Sequence, residues 1–201
     1  MTPLLYYIRH GETDWNAESR LQRQRDIPIN ANGRAQARQC GEILSDLIAR
    51  EDGDFDFVSS PLSRARETME IARTPLGLDP RAYRVDERLK EISFGEWEGF
   101  TLDELRRASP DAIAARERDK WTFTPPTAES YATMSVRMRE WYHSLGQNTI
   151  AVAHGGTLRG LIVQLGICSA VARHRSGRRL RDSRRQARAL CMRSEFRAPI
   201  T

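Results

Sequence analysis

Five apolar or aromatic residues, Leu4 to Ile8, run unbroken into Arg9-His10-Gly11-Glu12-Thr13. A short run of this kind predicts a buried strand that ends at a polar turn. Pro28 to Asn32 then forms a turn, and Gly33 opens a long helical pattern with Ala35, Cys40, Ile43, Leu44, Leu47 and Ile48 on one stripe. Phe55 to Val58 predicts a second strand, followed by Ser59-Ser60-Pro61. Pro61 suits a first helical turn with Ser60 as its cap, and Leu62, Ala65, Met69, Ile71 and Ala72 continue that helix to about Pro75-Leu76-Gly77. Tyr83-Arg84-Val85 is a weaker third strand, and Leu89 to Gly99 is irregular. Thr101-Leu102-Asp103-Glu104 is a capping box for a short helix. Further helices are predicted from Pro110 to about Lys120 and, after the break at Pro125-Pro126, from Glu129 to Leu145. The strongest strand pattern, Thr149 to Ala153, stops at His154-Gly155-Gly156, and Thr157 to Leu165 reads as a helix.

Strands that alternate with helices predict a parallel α/β sheet with right-handed crossovers. In such a sheet the carboxyl ends of the strands share one edge, where ligands bind. His10 and His154 both follow strands and are therefore expected to meet there, with Ser59-Ser60-Pro61 beside them and Arg64 one helical turn on. An arginine fork fits phosphate oxygens. Histidine is a nucleophile or proton carrier near neutral pH. The combination points to phosphate chemistry.

Composition narrows the classes. At 201 residues, 39% hydrophobic, the chain suits one domain with an adequate core. No apolar run approaches the roughly 20 residues of a membrane-spanning helix, and Arg9, His10, Glu12 and Asp14 interrupt any signal-peptide core. Cys40, Cys168 and Cys191 are widely spaced and form neither a disulfide framework nor a zinc pattern, so a cytoplasmic location and no metal are expected. The net charge of +5 is unevenly spread: residues 169–201 carry ten arginines against Asp182 and Glu195, leaving residues 1–168 at −3. Any claim of nucleic-acid binding would rest on that tail, which has no aromatic interleaving and no recognisable module.

Four motifs occur in order: Arg9-His10-Gly11-Glu12-Thr13 with Trp15-Asn16, Ser60-Pro61-Leu62-Ser63-Arg64-Ala65, Glu91 before Phe94-Gly95-Glu96-Trp97-Glu98-Gly99, and His154-Gly155-Gly156. Together they resemble the histidine phosphatase superfamily, in its phosphoglycerate mutase-like branch. The resemblance implies a three-layer sandwich with a mostly parallel central sheet flanked by helices and a small helical cap insert at about 92–130. It implies a domain over 1–168 and leaves 169–201 as a divergent Arg-rich tail. By motif position, His10 is the nucleophile, Glu91 the proton donor and His154 the third catalytic residue. Arg9, Asn16, Arg64 and Gly155 would bind the phosphate, and Thr13, Gln22 and Arg23 are candidate substrate contacts. Thr13 could instead simply hold the loop. Glu91 must begin protonated to serve the leaving alkoxide, then act as base for water. Glu87, Glu96 and Glu98 are rival carboxylates read as solvated loop charges. Trp15 and Trp97 are read as core. Glu129-Ser130 loosely resembles a substrate-contacting region.

Only 62 residues separate Glu91 from His154, although Arg106, Arg107, Arg116, Arg118 and Lys120 lie among them. This resembles the shorter phosphatase form, so hydrolysis of a small phosphorylated metabolite without cofactor is expected. The alternative is a phosphoglycerate mutase dependent on 2,3-bisphosphoglycerate. Two departures stand out. Arg23 occupies a position where relatives have glycine, and from Ser169 onward no run alternates as a strand should, so the C-terminal sheet edge is expected to be incomplete and the tail poorly packed. A rival class is a catalytically weak protein using its Arg-rich tail to contact nucleic acid or acidic membranes. Monomer and dimer are both open.

Overall fold

The computed structural model describes residues 3–51 and 53–166, and the backbone of Ala187–Leu190. The strands are β1 (Leu5–Arg9), β2 (Asp56–Ser59), β3 (Arg84–Val85), β4 (Thr149–Ala153) and β5 (Ala187–Leu190). The helices are α1 (Asp14–Ala17), α2 (Ala31–Ile48), α3 (Ser63–Arg73), α4 (Leu102–Ala108), α5 (Pro110–Arg118), α6 (Tyr131–His143) and α7 (Gly155–Gln164). The sheet order is β3-β2-β4-β1-β5, and every pairing is parallel. β1 and β4 are therefore central neighbours, in register from Leu5 opposite Thr149 to Arg9 opposite Ala153.

Period-two side-chain alternation sorts β1 between two cores. Leu5 and Tyr7 join Ala151, Ala153, Met134, Met138, Trp141 and Leu161 on the α6–α7 side. Tyr6 and Ile8 join Ile150, Val152, Cys40, Leu44, Ala65 and Met69 on the α2–α3 side. Helices thus cover both faces, which is why the central strands read as continuous apolar runs. Residues from α4 and α5, Leu105 and Ile113, enter the α6–α7 core. Both helices fall within 92–130, as does the buried Trp97, whereas Trp15 is only half-buried. Among the described residues no helix is long and apolar enough to cross a membrane.

Three expectations are corrected. The C-terminal segment does supply an edge strand: β5 pairs with β1 from Leu5 opposite Ala187 to Ile8 opposite Leu190. Four residues are too few to display alternation within an arginine-rich stretch, and ladder hydrogen bonds use backbone groups that every non-proline residue carries. The expected poor packing of the tail concerns residues that otherwise lie outside those described. Second, Ser60 is not the cap of α3: Leu62 occupies that position without a side-chain cap bond. Third, α7 begins at Gly155, with His154 as its N-cap residue. This places a candidate catalytic side chain at the junction of β4 and α7.

Candidate active site

Three adjacent strands release their chains at one edge. The amide of His10 donates to the Ala153 carbonyl at 2.9 Å, and that of Ser60 to the Val152 carbonyl at 2.9 Å. The parallel register thereby sets His10, Ser60 and His154 side by side. The imidazole centroids of His10 and His154 lie 5.1 Å apart.

His10 is buried, and its Nδ1 lies 2.7 Å from the Gly11 carbonyl oxygen. A carbonyl can only accept, so Nδ1 carries the hydrogen and Nε2 keeps its lone pair. Nε2 faces the Arg64 Nε–H, which donates to it at 3.3 Å. Burial first, then the guanidinium groups of Arg64 and Arg9, hold the His10 pKa well below its ordinary value. The ring is therefore neutral, the form required of a nucleophile.

Gly11 is needed for close approach. A Cβ there would stand 2.4 Å from the Gly33 carbonyl oxygen, where the loop crosses the start of α2. The Gly11 N–H donates to the Thr68 hydroxyl at 3.0 Å, and Thr68 in turn donates to the Arg64 carbonyl at 2.7 Å. One α3 side chain thus ties the His10–Gly11 loop to Arg64.

Arg64 is 1% exposed. Its Nη1 donates to the Arg25 carbonyl at 2.8 Å and its Nη2 to the Arg23 carbonyl at 2.5 Å. Burial pushes its pKa down to about 10, so it still carries its charge at neutral pH. Arg23 adopts φ +48°, a left-handed conformation unfavourable for a residue with a Cβ. Glycine would accept that backbone freely. Here the side chain lies over the Phe94 ring at 3.9 Å, with Nη1 3.9 Å from Glu91 Oε2.

Glu91 is buried against the start of α7. Its Oε1 accepts from the Ile92 and Thr157 amides at 2.9 and 3.2 Å, and its Oε2 from the Gly156 amide at 3.1 Å. A carboxylate on otherwise unpaired first-turn N–H groups also meets the positive end of the helix dipole. Oε2 thus accepts from one backbone amide where Oε1 accepts from two. Gly156 makes this contact sterically possible, since a Cβ there would lie 2.3 Å from Oε1.

His154 is fully buried, with Nε2 2.7 Å from the Ser60 hydroxyl. Its Nδ1 is buried without a hydrogen-bond partner. Ser60 also accepts from the Leu62 amide at 3.4 Å. With Ser60 donating to Nε2, the imidazole hydrogen sits on Nδ1 and is available to an incoming acceptor. Burial, followed by Arg64, His10, Arg9 and Arg137, keeps this ring neutral as well.

The other predicted residues divide into pocket and scaffold. The Arg9 side chain reaches the start of α7, where a Cβ on Gly155 would be 3.6 Å from its Nε. Thr13 and Asn16 form a reciprocal capping box at α1: the Asn16 backbone N–H donates to the Thr13 hydroxyl and the Asn16 Oδ1 accepts from the Thr13 amide, leaving the side-chain Nδ2 out of the box. The Thr13 hydroxyl donates to Gln22 Oε1 at 2.6 Å, and Gln22 Nε2 donates to the Ile27 carbonyl at 3.2 Å. Thr13 and Gln22 thus hold the loop that carries Arg23. Glu98 is no solvated charge: its Oε1 accepts from the Phe94 amide at 3.0 Å and lies 3.4 Å from the Gln24 amide. Glu87 and Glu96 are exposed. Glu129 accepts from the Ser93 amide at 3.1 Å and Arg137 at 2.9 Å, while Ser130 caps α6.

Sequence reasoning did not single out Ser60 for contact with His154, nor Thr68 or Gly156. The signal for Ser60 was its place at the end of β2. Thr68 and Gly156 act through packing that only the assembled fold creates. Among the described residues, no cluster of three or more His, Cys, Asp or Glu side chains could hold a metal ion.

The family model for the histidine phosphatase superfamily (branch 1) matches residues 5–175. The chain is 32% identical to the uncharacterized phosphatase PhoE of Bacillus subtilis (strain 168), over 79% of this chain and 75% of that protein. It is 42% identical to the probable phosphoglycerate mutase GpmB of Salmonella paratyphi C (strain RKS4594), over 79% and 72% respectively. Among solved structures it is similar to a mycobacterial glucosyl-3-phosphoglycerate phosphatase, with a TM-score of 0.67 and 31% identity over 79% of this chain and 77% of the other. From the match across most of its length, this chain belongs to the histidine phosphatase superfamily.

Proposed function

We propose that the protein hydrolyses a small phosphomonoester through a phosphohistidine on His10. The observation that carries this reading is the neutral, buried His10 with its hydrogen committed to the Gly11 carbonyl and its Nε2 lone pair turned toward Arg64.

In the first step Nε2 attacks phosphorus in line, and the bond from phosphorus to the leaving oxygen breaks. Glu91 delivers a proton to that oxygen, giving a neutral alcohol. In the second step a water oxygen attacks phosphorus while Glu91 takes a water proton. The P–N bond breaks, its electron pair returns to Nε2, and inorganic phosphate leaves. Positioning and charge stabilisation dominate such transfers. Arg9 and Arg64 supply positive charge, and the Nδ1–H of His154 and the amide of Asn16 supply donors. The reading therefore calls for neither a metal ion nor a cofactor.

Incubation with a ³²P-labelled phosphomonoester and rapid acid-free denaturation is expected to leave base-stable, acid-labile label on the wild-type chain and none on His10→Ala. Unlabelled wild-type protein that nevertheless releases phosphate would rule the reading out. The second reading, a mutase using 2,3-bisphosphoglycerate as phosphoryl donor, draws on the identity to proteins named as mutases. A phosphoglycerate assay separates them: the phosphatase reading requires phosphate release to exceed isomerisation. Binding to nucleic acid or acidic membranes would rest on tail side chains outside the described residues, whereas the catalytic reading rests on the built pocket.

A further inference from the structure

Tyr7 precedes His10 on β1 and faces the α6–α7 core, where it is 2% exposed. Its ring meets Trp141 edge-on, at 6.3 Å between centroids and 83° between planes. A phenylalanine ring would fill that space. A buried hydroxyl costs free energy unless it is hydrogen-bonded, so the phenol oxygen needs an account. It lies 2.7 Å from Thr157 Oγ1, which is itself fully buried. Thr157 Oγ1 donates to the His154 carbonyl at 2.9 Å. With that hydrogen committed, the Tyr7 O–H is the donor to Thr157. Burial first, opposed by the Thr157 hydrogen bond and reinforced by the Glu91 charge, holds the phenol above its ordinary pKa, so it keeps its hydrogen.

This chain of hydroxyls ends on the first turn of α7. His154 is the N-cap residue of that helix, yet its side chain makes no cap bond. The first-turn donors go to Glu91 instead: the Gly156 and Thr157 amides reach its two carboxylate oxygens at 3.1 and 3.2 Å. Glu91 thus caps α7 from a distant part of the chain, and its place depends on the place of that turn. The His154 imidazole has a separate anchor in the Ser60 hydroxyl at 2.7 Å. Tyr7 therefore links the strand that carries His10 to the turn that grips Glu91.

We infer that Tyr7, through its hydroxyl and Thr157, is a positioning residue for Glu91: it fixes the first turn of α7 against β1, so that the acid–base group stays aligned with the nucleophile at the end of that strand. The inference rests on the phosphatase reading above. Tyr7 touches neither the substrate nor the transferred proton. Small displacements of a catalytic group cost rate out of proportion to their size.

Following the two displacements separately, with ³²P-labelled 4-nitrophenyl phosphate, tests it. Nitrophenolate leaves without a proton, so its release in a single turnover reports the first step without Glu91. Decay of the labelled phosphohistidine reports the second step, in which Glu91 takes a proton from water. In Tyr7→Phe and Thr157→Val, nitrophenolate release should stay within about twofold of wild type while phosphohistidine decay slows about tenfold. That is less than the about 10²–10⁴ of losing an acid–base group outright, because the Ile92 amide still holds Glu91. Thr157→Ser, which keeps the hydroxyl, should retain the wild-type decay. A general loosening of the pocket would slow both steps together. Equal slowing of the two steps, or unchanged decay in both variants, overturns the role of Tyr7 while leaving the phosphatase reading intact. The two variants are made separately so that loss of fold in one does not remove the test. Absence of both phosphate release and His10 labelling in the wild type instead overturns the phosphatase reading, and this role with it.

Discussion

Replacing Gly156 with alanine isolates the role of Glu91 without touching its carboxylate. The new Cβ would sit 2.3 Å from Glu91 Oε1 and 2.9 Å from Ile92 Cγ2. Glu91 must therefore leave the first turn of α7, losing the bonds from the Gly156 and Thr157 amides. Hydrogen bonds to a charged group contribute about 1.5–3 kcal/mol each. Two losses are partly offset by rehydration of the carboxylate and by up to about 1 kcal/mol of alanine helix propensity. The expected net destabilisation is about 1–2 kcal/mol, small enough for the fold to survive. The effect on chemistry should be larger, because a positioned acid–base group contributes about 10²–10⁴ in rate. With an alkyl phosphate, whose alkoxide needs a proton, kcat should fall within that range. With 4-nitrophenyl phosphate the leaving group needs no proton, so phosphohistidine still forms. Its hydrolysis, lacking the base, becomes slow. Stopped-flow absorbance should then show a burst of about one equivalent of nitrophenolate before a slow steady state. Equal losses of kcat/KM for the alkyl and aryl esters in a folded Gly156→Ala protein would refute Glu91 as the proton donor.

Ser60→Ala should release the His154 tautomer: kcat is expected to fall about tenfold, in keeping with loss of one preorganised donor, with KM little changed and Ser60→Thr restoring the rate. The ¹⁵N shifts of the imidazole report the tautomer directly, and unchanged shifts in Ser60→Ala would contradict the assignment. His10 and His154 are both held neutral well below their ordinary values, so the unfolded chain binds more protons once the pH falls below about 6.5. Stability should be flat in these groups above that value and drop by about 2 kcal/mol for the pair between pH 6.5 and 5.5; urea midpoints measure this, and His154→Gln should remove about half the drop. Thr13→Val deletes a cap and strands the buried Gln22 acceptor, and should cost about 2–4 kcal/mol. A stability change below about 0.5 kcal/mol would mean that Thr13 is no loop anchor.

The sheet and its edge were legible because β1 and β4 are apolar runs ended by histidine and glycine, and because parallel strands deliver their ends to one place. His10, Arg64, Glu91 and His154 could be gathered from motif order alone. The supporting contacts were less legible. Ser60 looks like a helix cap from its neighbours, but the parallel register turns it toward His154. Glu98 looks solvated within a charged stretch, yet the loop folds its amides onto the carboxylate. Tyr7 and Thr157 meet across 150 positions, and no local pattern joins residues so far apart. β5 escaped because backbone pairing leaves little trace in four residues.

The central pairing of β1 with β4 also bears on how this enzyme comes into being. Leu4 and Asn148, 144 positions apart, already touch at the base of these strands, and the two histidines meet at their tips. Closing so long a loop loses chain entropy before any nonlocal contact compensates. Helices such as α2 and α6 can form from neighbouring residues, but the catalytic pocket cannot. Recovered activity after dilution from denaturant is therefore expected to lag the far-ultraviolet helix signal, and truncation before β4 should leave a chain with helices but without the paired histidines. The newly made chain cannot turn over substrate until residues near its start and near position 154 have found each other.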